Sequence, residues 1–163
     1  MQFEIVKVYS GPCAIFYSVK LDGENNTLFE KFILENKAKY PKELENISNT
    51  IRIMAEKTGA REQFFKQNEG KPGDGVCALY DSPDKNLRLY CIRYGAVSVI
   101  LGSGSEKPKD MKALQESEKL TKENELLREI SKAITTALQD HLIKWSENGM
   151  DLLGDGDSMI IEI

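Results

Sequence analysis

The sequence predicts an α+β fold: a helix hairpin packed on a small antiparallel sheet, with a β-hairpin before it and a long helix after it. Three observations carry that prediction. Two stretches rich in β-branched and aromatic residues open the chain around a Ser10-Gly11-Pro12 turn. Two helical patterns then meet at Tyr40-Pro41 with almost no linker. Three short strand-like runs follow one another between Val76 and Gly102, before the apolar spacing returns to threes and fours. A chain of 163 residues suits one domain. We place it at residues 1–145, with 146–163 as an acidic C-terminal extension.

QFEIVKVYS and CAIFYSVKL form the opening hairpin, because Val, Ile, Phe and Tyr fit a half-buried pleated surface. Asp22-Gly23-Glu24-Asn25-Asn26 is a turn. Thr27-x-x-Glu30 is a capping box, so the first helix starts there and buries Phe29, Phe32 and Ile33. It stops near Lys39, because Pro41 disfavours helical geometry in the residue before it. Pro41 itself suits the first turn of a second helix. Leu44, Ile47, Ile51, Met54 and Ala55 make that helix's buried stripe, and Thr58-Gly59 is its stop. So short a connection folds the pair into an antiparallel hairpin.

The polar loop NEGKPGDG, residues 68–75, leads into VCALY, LRLYCIRY and AVSVILG, an antiparallel meander with turns at Ser82–Asn86 and around Gly95. GSGSEKPKD reads as a loop. Helix resumes from Met111, with Thr121 as its cap and Glu123 and Glu125 suited to its positive end. Leu127, Ile130, Ile134, Leu138, His141 and Trp145 fall on one stripe. The chain closes with turns and a short β-prone run.

Composition limits the function classes. No apolar run approaches the roughly 20 residues of a membrane helix, and the first residues lack the charged-then-apolar build of a signal peptide. Three cysteines, Cys13, Cys77 and Cys91, without CxxC or Cys/His spacing predict reduced thiols and a cytoplasmic location. The net charge of −4 hides an uneven distribution. Residues 141–163 are net −4, with Lys144 against Glu147, Asp151, Asp155, Asp157 and Glu162. Residues 85–112 are net +4, with Lys85, Arg88, Arg93, Lys107, Lys109 and Lys112 against Glu106 and Asp110. A basic stretch of this kind meets phosphates or forms a solvated face. The acidic end either lies against it or keeps the protein soluble.

Familiar chemical motifs are missing. Gly102-x-Gly104 lacks the third glycine and the βαβ frame of a dinucleotide loop, and no Walker lysine follows it. One histidine and three scattered cysteines offer no zinc spacing, and Asp155-Gly-Asp157 is too short for a calcium loop. His141 falls on an apolar stripe, as packed helix histidines do. Arg88 stands out. Alternation along its strand places Arg88, Tyr90 and Ile92 on one face and Leu87, Leu89, Cys91 and Arg93 on the other. A guanidinium beside a phenol can hold a phosphate in two hydrogen bonds, with the ring available for stacking; pairing with a carboxylate on the helical layer is the competing reading.

The order strand, helix hairpin, three-stranded meander, basic loop and closing helix resembles the RelE/ParE-like toxin superfamily, in its HigB-type and phage-derived branch. LFEKFILENKAKYPKELENISNTIRIMAEKTG is similar to that family's helix hairpin, GDGVCALY to its first meander strand, and LRLYCIRYGAVSVILGSGSEKPKD to its Arg-bearing strand, turn, Val-rich strand and lysine loop. The resemblance covers about residues 25–110. It implies a RelE-like domain and the toxin component of a type II toxin-antitoxin system, a ribosome-dependent mRNA endoribonuclease of the cytoplasm. The reaction it implies needs no metal or other cofactor: a ribose 2′-OH attacks the adjacent phosphate to give a cyclic phosphate. Its implied partners are mRNA, the ribosome and a cognate antitoxin, with no membrane. The catalytic role carries over to Arg88, which would stabilise the phosphorane charge. Contacts to RNA carry over to Lys85, Lys107 and Lys109, with Tyr90 as a stacking residue. The loop supplies lysines but no Tyr or His to move a proton. A non-catalytic protein-interaction module on the same scaffold is the alternative.

Overall fold

The two opening stretches pair as expected. In the computed structural model, which describes residues 1–66, 74–79, 85–107, 118–154 and 159–163, β1 (Gln2–Ser10) and β2 (Ile15–Leu21) run antiparallel from Phe3↔Leu21 to Ser10↔Ile15. The helix hairpin follows. The Thr27 side chain accepts the Glu30 amide and the Glu30 carboxylate accepts the Thr27 amide, so α1 (Leu28–Asn36) starts on a complete capping box. Pro41 opens α2 (Pro41–Ile53), and a π turn over Met54–Thr58 carries the chain to Gly59.

A 3-10 turn (Glu62–Phe64) leads into the strands β3 (Phe65–Lys66), β4 (Val76–Leu79), β5 (Leu87–Tyr94) and β6 (Ser98–Glu106), which form a continuous antiparallel run. Helix α3 (Glu118–Gln139), a short ribbon of β7 (Lys144–Trp145) with β8 (Leu152–Leu153), and β9 (Ile160–Glu162) complete the fold.

The sheet is larger and more mixed than the sequence suggested. Seven strands run in the order β3-β4-β5-β6-β2-β1-β9. The N-terminal hairpin is therefore part of the main sheet: β2 lies parallel to β6, with Ile15↔Ser98 and Ser18↔Leu101. Residues expected as an acidic extension return to the same sheet, because β9 pairs antiparallel with β1 through Gln2↔Glu162 and Glu4↔Ile160. The tail's acids do not meet the basic stretch among the described residues. Asp151 pairs with Lys7 at 2.9 Å and Glu162 lies 3.7 Å from the N-terminal amine, both at the opening hairpin.

Three other expectations shift. GSGSE, read as a loop, is the second half of β6. Its register against β5 slips between Leu89 and Cys91, so the strand takes one extra residue at a bulge. Gly104 is required there: a Cβ would stand 1.8 Å from the Arg88 carbonyl oxygen. Described helix starts at Glu118, so Thr121 lies inside α3 instead of capping it. The helix ends at Gln139, and His141 takes φ 60° on the exposed surface, off the buried stripe of Leu127, Ile130, Ile134 and Ala137. Residues 82–84 of SPDKN and 68–73 of NEGKPGDG, by contrast, fall outside the described residues, as does the start of the last helical segment.

Both sheet faces are covered, so the protein has three layers. One face carries Phe16, Leu87, Leu89, Cys91, Val99 and Leu101 against Phe29 and Phe32 of α1 and Leu44 and Ile51 of α2. The other carries Tyr17, Val76, Tyr90, Ile92 and Ile100 against Leu120, Leu127, Ile130 and Ile134 of α3. Among the described residues no helix is long and apolar enough to cross a membrane.

Candidate functional site

Strand β5 lies between β4 and β6, and this double pairing fixes the direction of every side chain on it. Alternation sends Leu87, Leu89 and Cys91 into the α1/α2 core and Arg88, Tyr90 and Ile92 to the α3 side. The sequence therefore reads the faces of this strand correctly. It does not reveal that α3 roofs the Arg88 face.

Arg88 is 4% exposed. Its Nε has no hydrogen-bond partner, and among the described residues the guanidinium makes no ion pair. The carboxylate pairing weighed from the sequence is thus not formed there. An uncompensated buried charge costs several kcal/mol, which most folded proteins avoid by pairing the ion. Only an anion offers that compensation to a guanidinium, since it never loses its proton. Tyr90 sits two residues further along the same face and is 0% exposed.

Two of the predicted lysines join Arg88 at one end of the sheet. Lys85 is exposed immediately before β5, and the Lys107 amide donates to the Asn86 carbonyl at 2.7 Å, closing the β5–β6 ends together. Across that end Arg88 stands opposite Ser105. Lys109 lies outside the described residues.

The same end holds a group the sequence reading missed. Glu106, opposite Leu87 and on the α1/α2 side, accepts the Tyr40 hydroxyl and the Lys39 ammonium, the latter at 3.2 Å. Its hydrogen bonds raise both partners' pKa above their ordinary values. Lys39 and Tyr40 precede Pro41 and Glu106 lies more than sixty residues on, so no local spacing signals the trio. It faces away from Arg88 across the sheet.

The remaining polar clusters are more self-contained. Tyr17 accepts the Leu152 amide at 2.9 Å and donates to Asp151 at 3.3 Å, at the edge of a groove of about 480 Å³ lined by Glu4, Lys7 and Met159. Burial pushes the Tyr17 phenol up to about 12. Cys77 and Cys91 face each other across β4 and β5, both buried, and burial raises the Cys91 thiol well above its ordinary value. Such a thiol is a poor nucleophile. Among the described residues no group of three His, Cys, Asp or Glu side chains is placed to hold a metal ion. No family model, no curated protein and no solved structure matches this chain.

Proposed function

We propose that this protein is the toxin component of a type II toxin-antitoxin system, with a RelE/HigB-like domain that cuts mRNA on the ribosome. The observation that supports it most is the buried Arg88 guanidinium, whose Nε has no hydrogen-bond partner and which makes no ion pair among the described residues. A phosphodiester is the anion such a side chain suits, with two oxygens that match the guanidinium fork. The surrounding pieces agree with this reading. Arg88 lies on the middle strand of the β4–β6 meander, after a helix hairpin, in the order of elements on which the family resemblance rests.

In this reading the RNA backbone reaches the Arg88 end of β5 and β6. Lys85 and Lys107 hold flanking phosphates, and Lys109 follows in the same stretch of chain. The 2′-OH of one ribose attacks the adjacent phosphorus, the 5′-oxygen of the next nucleotide leaves, and a 2′,3′-cyclic phosphate forms. Arg88 stabilises the extra negative charge on the phosphorane oxygens. Tyr90 stacks on a base only where its ring is uncovered.

The test is expression in growing cells beside Arg88→Ala. Growth arrest with cleaved, ribosome-associated mRNA is expected from the unmodified chain, and Arg88→Ala should relieve both by at least about 100-fold, the scale of losing one transition-state charge contact. Normal growth with intact mRNA under the unmodified chain, at confirmed expression, would sink the reading.

One observation favours a second reading. The roof of α3 over the sheet face that carries Tyr90 and Arg88 suits a non-catalytic module whose working surface is elsewhere. Under that reading purified protein leaves ribosomes and RNA uncut, with or without Arg88.

A further inference from the structure

We infer that the first turns of α3, residues 118–126, are a lid over Arg88, latched shut by contacts that include the Lys119–Glu35 ion pair and displaced when an RNA phosphate takes the guanidinium. The inference rests on the proposed function for its ligand, but its mechanical part stands on the fold alone.

Position comes first. A Cβ on Gly102 would stand 2.9 Å from Leu127, and 3.1 Å from the backbone oxygen of Tyr90. Leu127 therefore sits over the Tyr90 level of the sheet. Lys119 reaches Glu35 of α1 at 3.2 Å, and α1 leads to Lys39, which holds Glu106 at the end of β6. The start of α3 thus lies at the Arg88–Ser105 end. One and two turns before Leu127, Asn124 and Leu120 turn inward there, both buried.

The two parts of α3 are held differently. From residue 128 onward the helix is pinned to the segment before β4: Ser131 Oγ donates to the Asp74 carbonyl at 2.5 Å, and Arg128 lies 3.8 Å from the Asp74 carboxylate. Ile130, Ile134 and Ala137 are buried beneath that part. Residues 118–126 bury only Leu120 and Asn124 completely. One of the contacts that hold them, the ion pair to α1, joins two half-exposed side chains, the kind of contact that breaks readily.

Among the described residues the lid brings Arg88 no ion pair, and Glu125 is exposed. Glu118 pairs with Lys122 and Glu123 with Lys119, both along the helix. Closure therefore leaves Arg88 buried with its Nε unpartnered and no ion pair among the described residues, whereas an open lid lets an anion reach it. A phosphate that binds only the open form shifts the balance by its differential affinity. Closed, the lid keeps the RNA face shut; RNA presented at high local concentration opens it.

Two measurements test this on the full-length protein. The first is amide hydrogen exchange. Residues 118–126 should exchange at least tenfold faster than 128–137, and Glu35→Lys should speed exchange in the first segment alone. Uniform exchange along α3 overturns the lid. The second uses a 12-nucleotide RNA with 2′-O-methyl riboses, which binds but cannot be cut, read by fluorescence anisotropy. Glu35→Lys should tighten binding about threefold, the scale of one exposed ion pair. Glu35→Cys with Lys119→Cys, in a Cys13→Ser background, is then joined by a cleavable bis-maleimide. The joined form should bind at least tenfold more weakly, and cleaving the linker should restore binding. RNA binding that ignores the crosslink overturns the gate. Segmental exchange without RNA binding by any variant leaves the lid standing and removes the toxin reading. Inorganic phosphate in place of RNA separates a free-ion site from an RNA site, because an ion-only site predicts competition by phosphate and no oligonucleotide binding.

Discussion

Both faces of the central sheet are apolar cores, but they differ in the charge that one of them buries. The α1/α2 face is an apolar core with Phe16, Phe29, Phe32, Leu89, Cys91, Val99 and Leu101, and its covering helix starts on a satisfied capping box. The α3 face is equally buried yet contains Arg88, and its roofing helix turns Asn124 and Ser131 inward. A sheet needs one such apolar layer to fold. The second layer admits a charge at a cost to stability, which is the pattern expected where a protein keeps a side chain for chemistry over packing.

That contrast predicts opposite signs for substitutions on the two faces. Phe32→Ala, in the α1/α2 core, should lower stability by about 3–5 kcal/mol in urea unfolding, because an aromatic ring leaves a cavity among fixed neighbours. A loss under about 1 kcal/mol would show that this face collapses around the gap and is no rigid core. Arg88→Met goes the other way. It keeps the volume and removes a buried charge that has no ion pair among the described residues, so stability should rise by about 1–4 kcal/mol, while the activity proposed for Arg88 falls. A Met variant less stable than the unmodified chain would mean that the guanidinium is already compensated in the folded state.

A smaller effect tests the local signals on the first face. Thr27→Ala removes the side-chain oxygen that accepts the Glu30 amide at 3.1 Å. It should cost about 1 kcal/mol, read as a lower urea midpoint with an unchanged slope. Thr27→Ser should restore most of it, because serine supplies the same acceptor.

The capping box, the Pro41 start and the alternation along β5 were legible in the sequence because each depends on residues within a few positions of one another. Thr27 and Glu30 sit one turn apart, and Arg88, Tyr90 and Ile92 are two apart along one strand. What escaped depends on distant pairing. Nothing local says that Ile15 will lie beside Ser98 in parallel, or that Ile160 returns to Glu4. The roof over Arg88 was hidden for the same reason: the stripe of α3 shows that the helix buries a face, not which side of the sheet receives it. The glycines of GSGSE misled in a different way. They signal a loop by composition, whereas at Gly104 the fold uses one for close strand approach at a bulge.

Tyr17 gives the smallest and most pH-confined prediction, and it sharpens the comparison from the α3 side. Its ring belongs to the same core as Tyr90, and its hydroxyl both accepts the Leu152 amide and donates to Asp151. Burial raises its pKa from 10.0 to about 12, so the folded state holds the phenolic proton where the unfolded chain has begun to lose it. The stability this contributes is complete below pH 10 and is lost as the pH climbs toward 12. Urea midpoints should therefore be flat from pH 8 to 9 and fall steadily above 10. Tyr17→Phe should start lower, having left the Leu152 amide without its acceptor, but should fall less steeply over that range. Half-buried Tyr94, also raised by desolvation, adds to the alkaline loss in both proteins, so the difference between the two slopes isolates Tyr17. Identical slopes would mean that the Tyr17 hydroxyl is already open to water, and that the α3 face is looser at its β1–β2 end than at its Arg88 end.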